Sequence, residues 1–258
     1  MAPSRQATAP PAFVRMIDHP VRWRLLTALA GSDHRVRELV QLVGQPQNLV
    51  SYHLRLLRRG GLVTARRSSF DARDSYYHLD LDRCSAELAT TGAALHPALR
   101  EPAVPPFGGS GPRWSHETSV LFVCTGNSAR SPIAEALLRH HTAGSLDVAS
   151  AGTSPKPHLH PGAVQVMAAE FGIDLADQQP RRLAGLEGRR FDAVITLCDR
   201  ARERCPEFKQ HPRRIHWSIP DPATASDADE AGFPAFRRAA ADINTRVRHL
   251  LPALASTD

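Results

Sequence analysis

In residues 13–30, FVRMIDHPVRWRLLTALA, apolar side chains at Val21, Leu25, Leu26 and Leu29 recur at helical spacing and predict a helix. Residues 36–44, VRELVQLVG, place Val36, Leu39, Val40 and Val43 on one side of a shorter helix that stops at Gly44. Residues 45–61, QPQNLVSYHLRLLRRGG, predict another helix, with Pro46 near its first turn and Gly60-Gly61 at its end. Leu49, Val50, Leu54 and Leu57 face inward, leaving Gln47, Asn48, Ser51, Tyr52 and Arg55 outside. The period then shifts: LVTARR and SYYHLDL read as two strands around SSFDARD, a β-hairpin, and CSAELATTGAALH reads as a last helix. Further along, VLFV (residues 120–123) is a short apolar run of a buried strand, and SPIAEALLRHH is a helix with Ser131 as N-cap and Pro132 at its first position.

Between these regions the pattern lapses. Residues 96–115, HPALREPAVPPFGGSGPRWS, hold five prolines and three glycines, the composition of a linker. The 258 residues therefore divide into a disordered N-terminus (1–12), a mainly helical unit with a β-hairpin (13–95), a linker (96–116) and an α/β unit (117–256). No apolar stretch approaches the roughly 18–20 residues that span a bilayer, and the N-terminus has no charged-then-apolar leader. The expectation is a soluble, cytoplasmic protein with no membrane partner.

Charge sharpens the division. Up to Arg113 the chain has 15 arginines against 9 acidic residues, and beyond it 17 basic against 17 acidic. A basic front suits nucleic acid, and a neutral back suits an enzyme. Helix, tight turn and helix form a helix-turn-helix, whose outer residues Gln47, Asn48, Ser51, Tyr52 and Arg55 can reach base edges and phosphates in a major groove. Arg66, Arg67 and Arg73 on the hairpin can meet phosphates. This stretch, above all NLVSYHLRLLRRGGLVTARR, resembles the ArsR family of winged-helix repressors. The resemblance implies a homodimer on a double-stranded, inverted-repeat DNA operator, with the last helix suited to dimer packing. Cys84, the only thiol of this unit, reads as a small buried hydrophobe.

The chemistry concentrates in LFVCTGNSARSP, residues 121–132. A strand runs into Cys124, the loop Thr125, Gly126, Asn127, Ser128 and Ala129 follows, and Arg130 and Ser131 open a helix. Loop amides, helix N-terminus and guanidinium converge on a place for a tetrahedral oxyanion. The same field should lower the Cys124 pKa and supply a thiolate nucleophile.

VCTGNSARSPIAEALLR and VASAGTS resemble the low-molecular-weight tyrosine phosphatase fold, which implies a four-stranded parallel sheet with helices on both sides. The resemblance makes Asp221, in IPDPA, the general acid. FDAVITLCDRARERCPEF and HWSIPDPA resemble thioredoxin-coupled arsenate reductases. That implies a relay in which Cys124 attacks arsenate, Cys198 attacks the adduct, and Cys205 resolves the product as a Cys198–Cys205 disulfide for thioredoxin or a mycothiol-type reductant. Seven residues separate Cys198 from Cys205, so the intervening helix has to loosen. Where reductases of this group often have a further cysteine, this chain has Ala129. Some members bind potassium through an Asn and a Glu matching Asn127 and Glu135, but the third ligand, an Asp, falls near Arg181 here. His158 and His160 read as surface residues. No cofactor and no metal site is expected. The alternatives are a DNA-binding regulator fused to a tyrosine phosphatase acting on phosphate esters, and a non-catalytic regulator responding to oxyanion or redox state.

Overall fold

Residues 13–30 fold as two helices, not one. In the computed structural model, which describes residues 9–96, 99, 118–186, 188–208, 212–225 and 232–255, α1 spans Ala12–Ile17 and α2 spans Pro20–Gly31. The break follows from His19-Pro20. A residue before proline avoids the helical region, and His19 is extended at φ −159° and ψ 128°. Its ring Nδ1 accepts the Val21 N–H at 3.2 Å and caps α2. Residues 1–8 of the expected N-terminal tail lie outside the described residues, as does the expected linker, 96–116, apart from His96 and Leu99.

The chain forms two compact units. In the first, β1 (His34–Arg35) leads into α3 (Val36–Val43) and α4 (Gln47–Arg59). The α3 start is boxed by Glu38, whose carboxylate accepts the Arg35 N–H at 2.8 Å. Gly44 ends α3 in the left-handed region at φ 63°, where a side chain would be strained, and donates its N–H to the Val40 carbonyl. Strands β2 (Val63–Arg67) and β3 (Ser75–Leu79) form the expected hairpin, and β1 adds antiparallel to β3 in the order β1-β3-β2. Leu25, Leu39, Val50, Leu54 and Leu57 close the core. The last helix, α5 (Leu81–Leu95), has no buried residue and exposes Leu88 and Leu95.

The second unit is a four-stranded parallel sheet in the order β5-β4-β6-β7. The strands are β4 (Ser119–Cys124), β5 (Asp147–Gly152), β6 (Ala193–Thr196) and β7 (Arg213–His216). Central β4 is buried along its whole length because both of its edges are paired and both faces are covered. Helices α6 (Arg130–His141), α7 (Pro161–Phe171), α8 (Asp199–Arg204) and α9 (Gly232–Ala255) complete the unit, with α9 packed on α6 and α7. The α/β fold expected from the sequence is the fold observed. No helix among the described residues is long and apolar enough to cross a membrane.

Candidate active site

The C-terminal end of β4 delivers Cys124 into a loop whose carbonyls turn outward. The backbone N–H groups of Thr153, Ser154, Lys156 and His160 donate to the carbonyls of Cys124, Thr125, Gly126 and Ser128 at 2.8–3.1 Å. On the inner side of the loop the Asn127 N–H reaches the Cys124 Sγ at 3.1 Å. The loop passes so close to β5 that a Cβ on Gly152 would lie 2.8 Å from the Thr125 carbonyl oxygen and 3.0 Å from Asn127. Glycine is required there.

Asn127 braces this curve from a left-handed backbone, φ 45°. Its side-chain amide donates to Ser131 Oγ (2.9 Å) and Ser150 Oγ (2.8 Å), and its carbonyl accepts the Arg181 N–H (2.6 Å). Ser131 Oγ in turn meets Cys124 Sγ at 3.0 Å. Ser131 is thus not the helix cap expected from the sequence. The helix begins two residues earlier, with Ala129 at the cap and no side-chain cap bond, and Pro132 is its third residue. The Ser131 hydroxyl serves the thiol instead.

The expected lowering of Cys124 is not what its surroundings produce. Burial pushes the thiol up, against the pull of Arg130 and the Ser131 hydroxyl, while Cys198 adds to the rise. The sequence shows the charges beside the loop but not how completely the sheet and helices enclose it.

Arg130 is buried, and its Nη1 donates to the Ile219 carbonyl at 3.1 Å while Nη2 meets Asp221 Oδ2 at 2.7 Å. Asp221 stands before a 3₁₀ turn, Pro222–Ala225, and is half exposed. Cys124, Thr125, Gly126, Ser128, Ala129, Arg130 and Asp221 share one cleft, whose rim carries Lys156, His158 and Arg200. Cys198 lies at the same loop, its Sγ 3.3 Å from Thr125 Oγ1. Cys205 sits at the far end of α8, where burial raises its thiol against the pull of Arg214. His160, expected at the surface, is structural: it caps α7 through Gly162 N–H at 3.1 Å and stacks on Phe236.

Behind the loop the buried Glu135 carboxylate is met by two part-exposed arginines. The Glu135 carboxylate receives Arg181 Nη2 at 2.6 and 2.7 Å, Gln178 Nε2 at 2.8 Å and Arg139 Nη2 at 2.8 Å. Arg181, near which the resemblance would put the third potassium ligand, carries a positive charge and donates to Glu135 instead. Among the described residues, no group of three metal-ligating side chains is found.

In the first unit, Gln47, Asn48, Tyr52 and Arg55 are exposed on α4 and Ser51 is half-buried. Arg67 and Arg73 are exposed at the hairpin and Arg66 is half-buried. His53, on the same helix, turns inward. It is 3 % exposed, packs against His19 with ring centroids 4.3 Å apart and planes tilted by 40°, and its buried Nδ1 has no partner among the described residues.

A buried thiol in a tight loop, met by a backbone N–H and sharing its cleft with an arginine and a carboxylic acid, defines a class of proteins that form a covalent bond from sulfur to a tetrahedral oxyanion. The chain belongs to the low molecular weight phosphotyrosine protein phosphatase family, whose model matches residues 119–258. Residues 19–65 match the model for bacterial regulatory proteins of the arsR family. The second unit is similar to arsenate reductases of Halalkalibacterium halodurans (36 % identical over 129 residues) and Bacillus subtilis (35 % over 129 residues). Each match covers 50 % of this chain and 91 % of the relative. A solved structure described as an arsenate reductase in the phosphate binding state aligns over 53 % of this chain and 98 % of its own, at 29 % identity and TM-score 0.47.

Proposed function

We propose that this chain is a DNA-binding regulator fused to an arsenate reductase with a three-thiol relay. The observation that carries the reading is the position of Cys198, whose thiol opens onto the catalytic loop one residue from the nucleophile, with Cys205 at the other end of the same short helix.

Arsenate enters the loop, where the amides and Arg130 bind its oxygens and displace the carboxylate of Asp221 from the guanidinium. The Cys124 thiol gives its proton to the freed Asp221 carboxylate, and the resulting thiolate bonds to arsenic. One As–OH bond breaks, and the hydroxide leaves as water with a proton from Asp221. The Cys198 thiolate then attacks Cys124 Sγ. A disulfide forms, the As–S bond breaks, and its electron pair stays on arsenic, which departs as arsenite. Cys205 attacks Cys198 and releases Cys124 as a thiolate, leaving a Cys198–Cys205 disulfide for thioredoxin or a mycothiol-type thiol. In the front unit, Gln47, Asn48, Ser51, Tyr52 and Arg55 read the operator and Arg66, Arg67 and Arg73 hold phosphates. The exposed leucines of α5 pair in a homodimer.

One arsenate turnover by the fully reduced protein, without added reductant, tests this. Stoichiometric arsenite with a Cys198–Cys205 disulfide by mass spectrometry is expected. Intact thiols with hydrolysis of a phosphate ester would favour the phosphatase reading, for which Cys124, Arg130 and Asp221 suffice. Neither outcome would leave an oxyanion-responsive regulator.

A further inference from the structure

The first residue of α8, Asp199, follows Cys198 directly, and its carboxylate takes no part in the chemistry above. It is 2 % exposed. It accepts a hydrogen bond from Ser218 Oγ at 2.8 Å and faces His216 Nε2 at 3.1 Å. The other ring nitrogen of His216 faces Thr196 Oγ1 at 2.9 Å and the Thr196 carbonyl at 3.2 Å. All four residues are buried. The network ties the start of α8 to the end of β6, the end of β7 and the segment after it.

The other end of α8 is held differently. Cys205 follows the last helical turn and is held by apolar burial in the core, and the charged group acting on its thiol is Arg214, an exposed residue. A six-residue helix has little stability of its own. As a helix, the seven-residue step from Cys198 to Cys205 spans about 10 Å, whereas disulfide-bonded Cα atoms lie roughly 4.4–6.8 Å apart. One end has to give.

We propose that the Asp199–His216 pair is an anchor: it keeps Cys198 beside the catalytic loop while α8 unwinds from its far end, so Cys205 is the thiol that travels. Asp199 and His216 are positioning residues, and the inference rests on the relay proposed above. In the step concerned, the Cys205 thiolate attacks the Cys198 sulfur of the Cys124–Cys198 disulfide. A Cys198–Cys205 bond forms, the Cys124–Cys198 bond breaks and Cys124 leaves as a thiolate. No further oxidant or reductant is consumed. Anchoring the Cys198 end keeps the same sulfur available to Cys124 before the step and to Cys205 during it.

Two measurements test the anchor. The first uses the unaltered chain, uniformly ¹⁵N-labelled, comparing the fully reduced form with the form oxidised by one arsenate turnover. The His216 ring resonances, assigned with His216→Gln, are expected at the same positions in both, while backbone resonances of residues 202–205 move. A His216 signal that shifts on oxidation would show the anchor releasing and overturn the proposal. The second is single-turnover arsenite release. Asp199→Ala is expected to slow it at least tenfold with p-nitrophenyl phosphate hydrolysis, which needs Cys124 but not Cys198, within twofold of wild type. Asp199→Asn, which keeps an acceptor for Ser218, is expected to recover most of the loss. Wild-type release by Asp199→Ala would also overturn the anchor. If Asp199→Ala loses ester hydrolysis as well, the histidine resonances of the unaltered chain decide. Absence of arsenite from the unaltered protein, with ester hydrolysis intact, would instead reject the relay itself.

Discussion

Arg130 Nη2 lies 2.7 Å from Asp221 Oδ2, so the cation that should hold the oxyanion is already engaged by the acid that should protonate its leaving group. The incoming anion has to displace a carboxylate. On the proposed reading, Asp221→Asn removes the proton donor and the competing charge together. The expected result is a kcat lower by about 10²–10⁴ with tighter binding of arsenate or phosphate. Steady-state kinetics and inhibition by phosphate check both halves. Arg130→Lys, which loses the two-pronged donor, should weaken oxyanion binding instead.

Ser131 supplies one of the few interactions pulling the buried Cys124 thiol down against its enclosure. Ser131→Ala should raise the thiol further and move the low-pH limb of the rate profile to higher pH. A lost hydrogen bond of ~1 kcal/mol corresponds to a roughly five- to tenfold slower reaction at neutral pH. A pH–rate series of the two proteins is the measurement.

His53 is held below the usual histidine range by burial first, then by His19 and Arg22. The fold therefore prefers the neutral ring, while the unfolded chain takes up a proton near 6.5. The stability this contributes is complete above about pH 6.5 and is lost as the pH falls below it. Thermal stability of the front unit should fall between about pH 7 and 5, and His53→Gln should flatten that dependence.

Asp199 has the opposite chemistry. Burial pushes its carboxyl up, but the bonds from His216, the Ser69 backbone N–H and Ser218 outweigh it and hold the pKa at about 2. Its stabilisation is complete above pH 3.8 and disappears as the pH falls through about 2, an effect on the order of 2 kcal/mol. Denaturant titrations between about pH 5 and 2 should show this loss in the native chain and a smaller one in Asp199→Asn.

On the DNA side, Arg55→Ala should cost about 1–3 kcal/mol of operator affinity if it reads a base, and change the preference at that position. Replacing Arg67 or Arg73 by Ala should weaken binding evenly across sequences. The salt slope should fall by about one for each phosphate left without its arginine. Binding isotherms at several salt concentrations separate the two.

The parts legible in the sequence are those built from neighbours in the chain. Cys124 to Ser131 occupy a single strand–loop–helix passage, so reading the passage places the thiol, the amides and the guanidinium at once. The helix-turn-helix and its outward residues follow from apolar spacing in the same way. What is not legible depends on folding distance. Glu135 and Arg181 are 46 positions apart, and Asp199 meets His216 only because β6 and β7 pair. The raised Cys124 thiol reflects burial by the whole unit, which no local motif displays. Two of the unexpected features do have local signals. His19-Pro20 announces the break between α1 and α2, and a histidine flanked by the apolar Ile215 and Trp217 is a candidate for a buried partner.

The Glu135 cluster has a consequence for the conditions under which the chain can work. The negative charge behind the catalytic loop is balanced by Arg139 and Arg181, residues that cannot dissociate from the protein. An ion borrowed from the medium would be present or absent with its concentration, and the loop would stiffen or slacken accordingly. A covalently attached counter-charge has no dissociation constant. Exchanging sodium for potassium at fixed ionic strength should therefore leave the turnover rate where it was, and the support beneath Asn127 travels with the polypeptide into any medium.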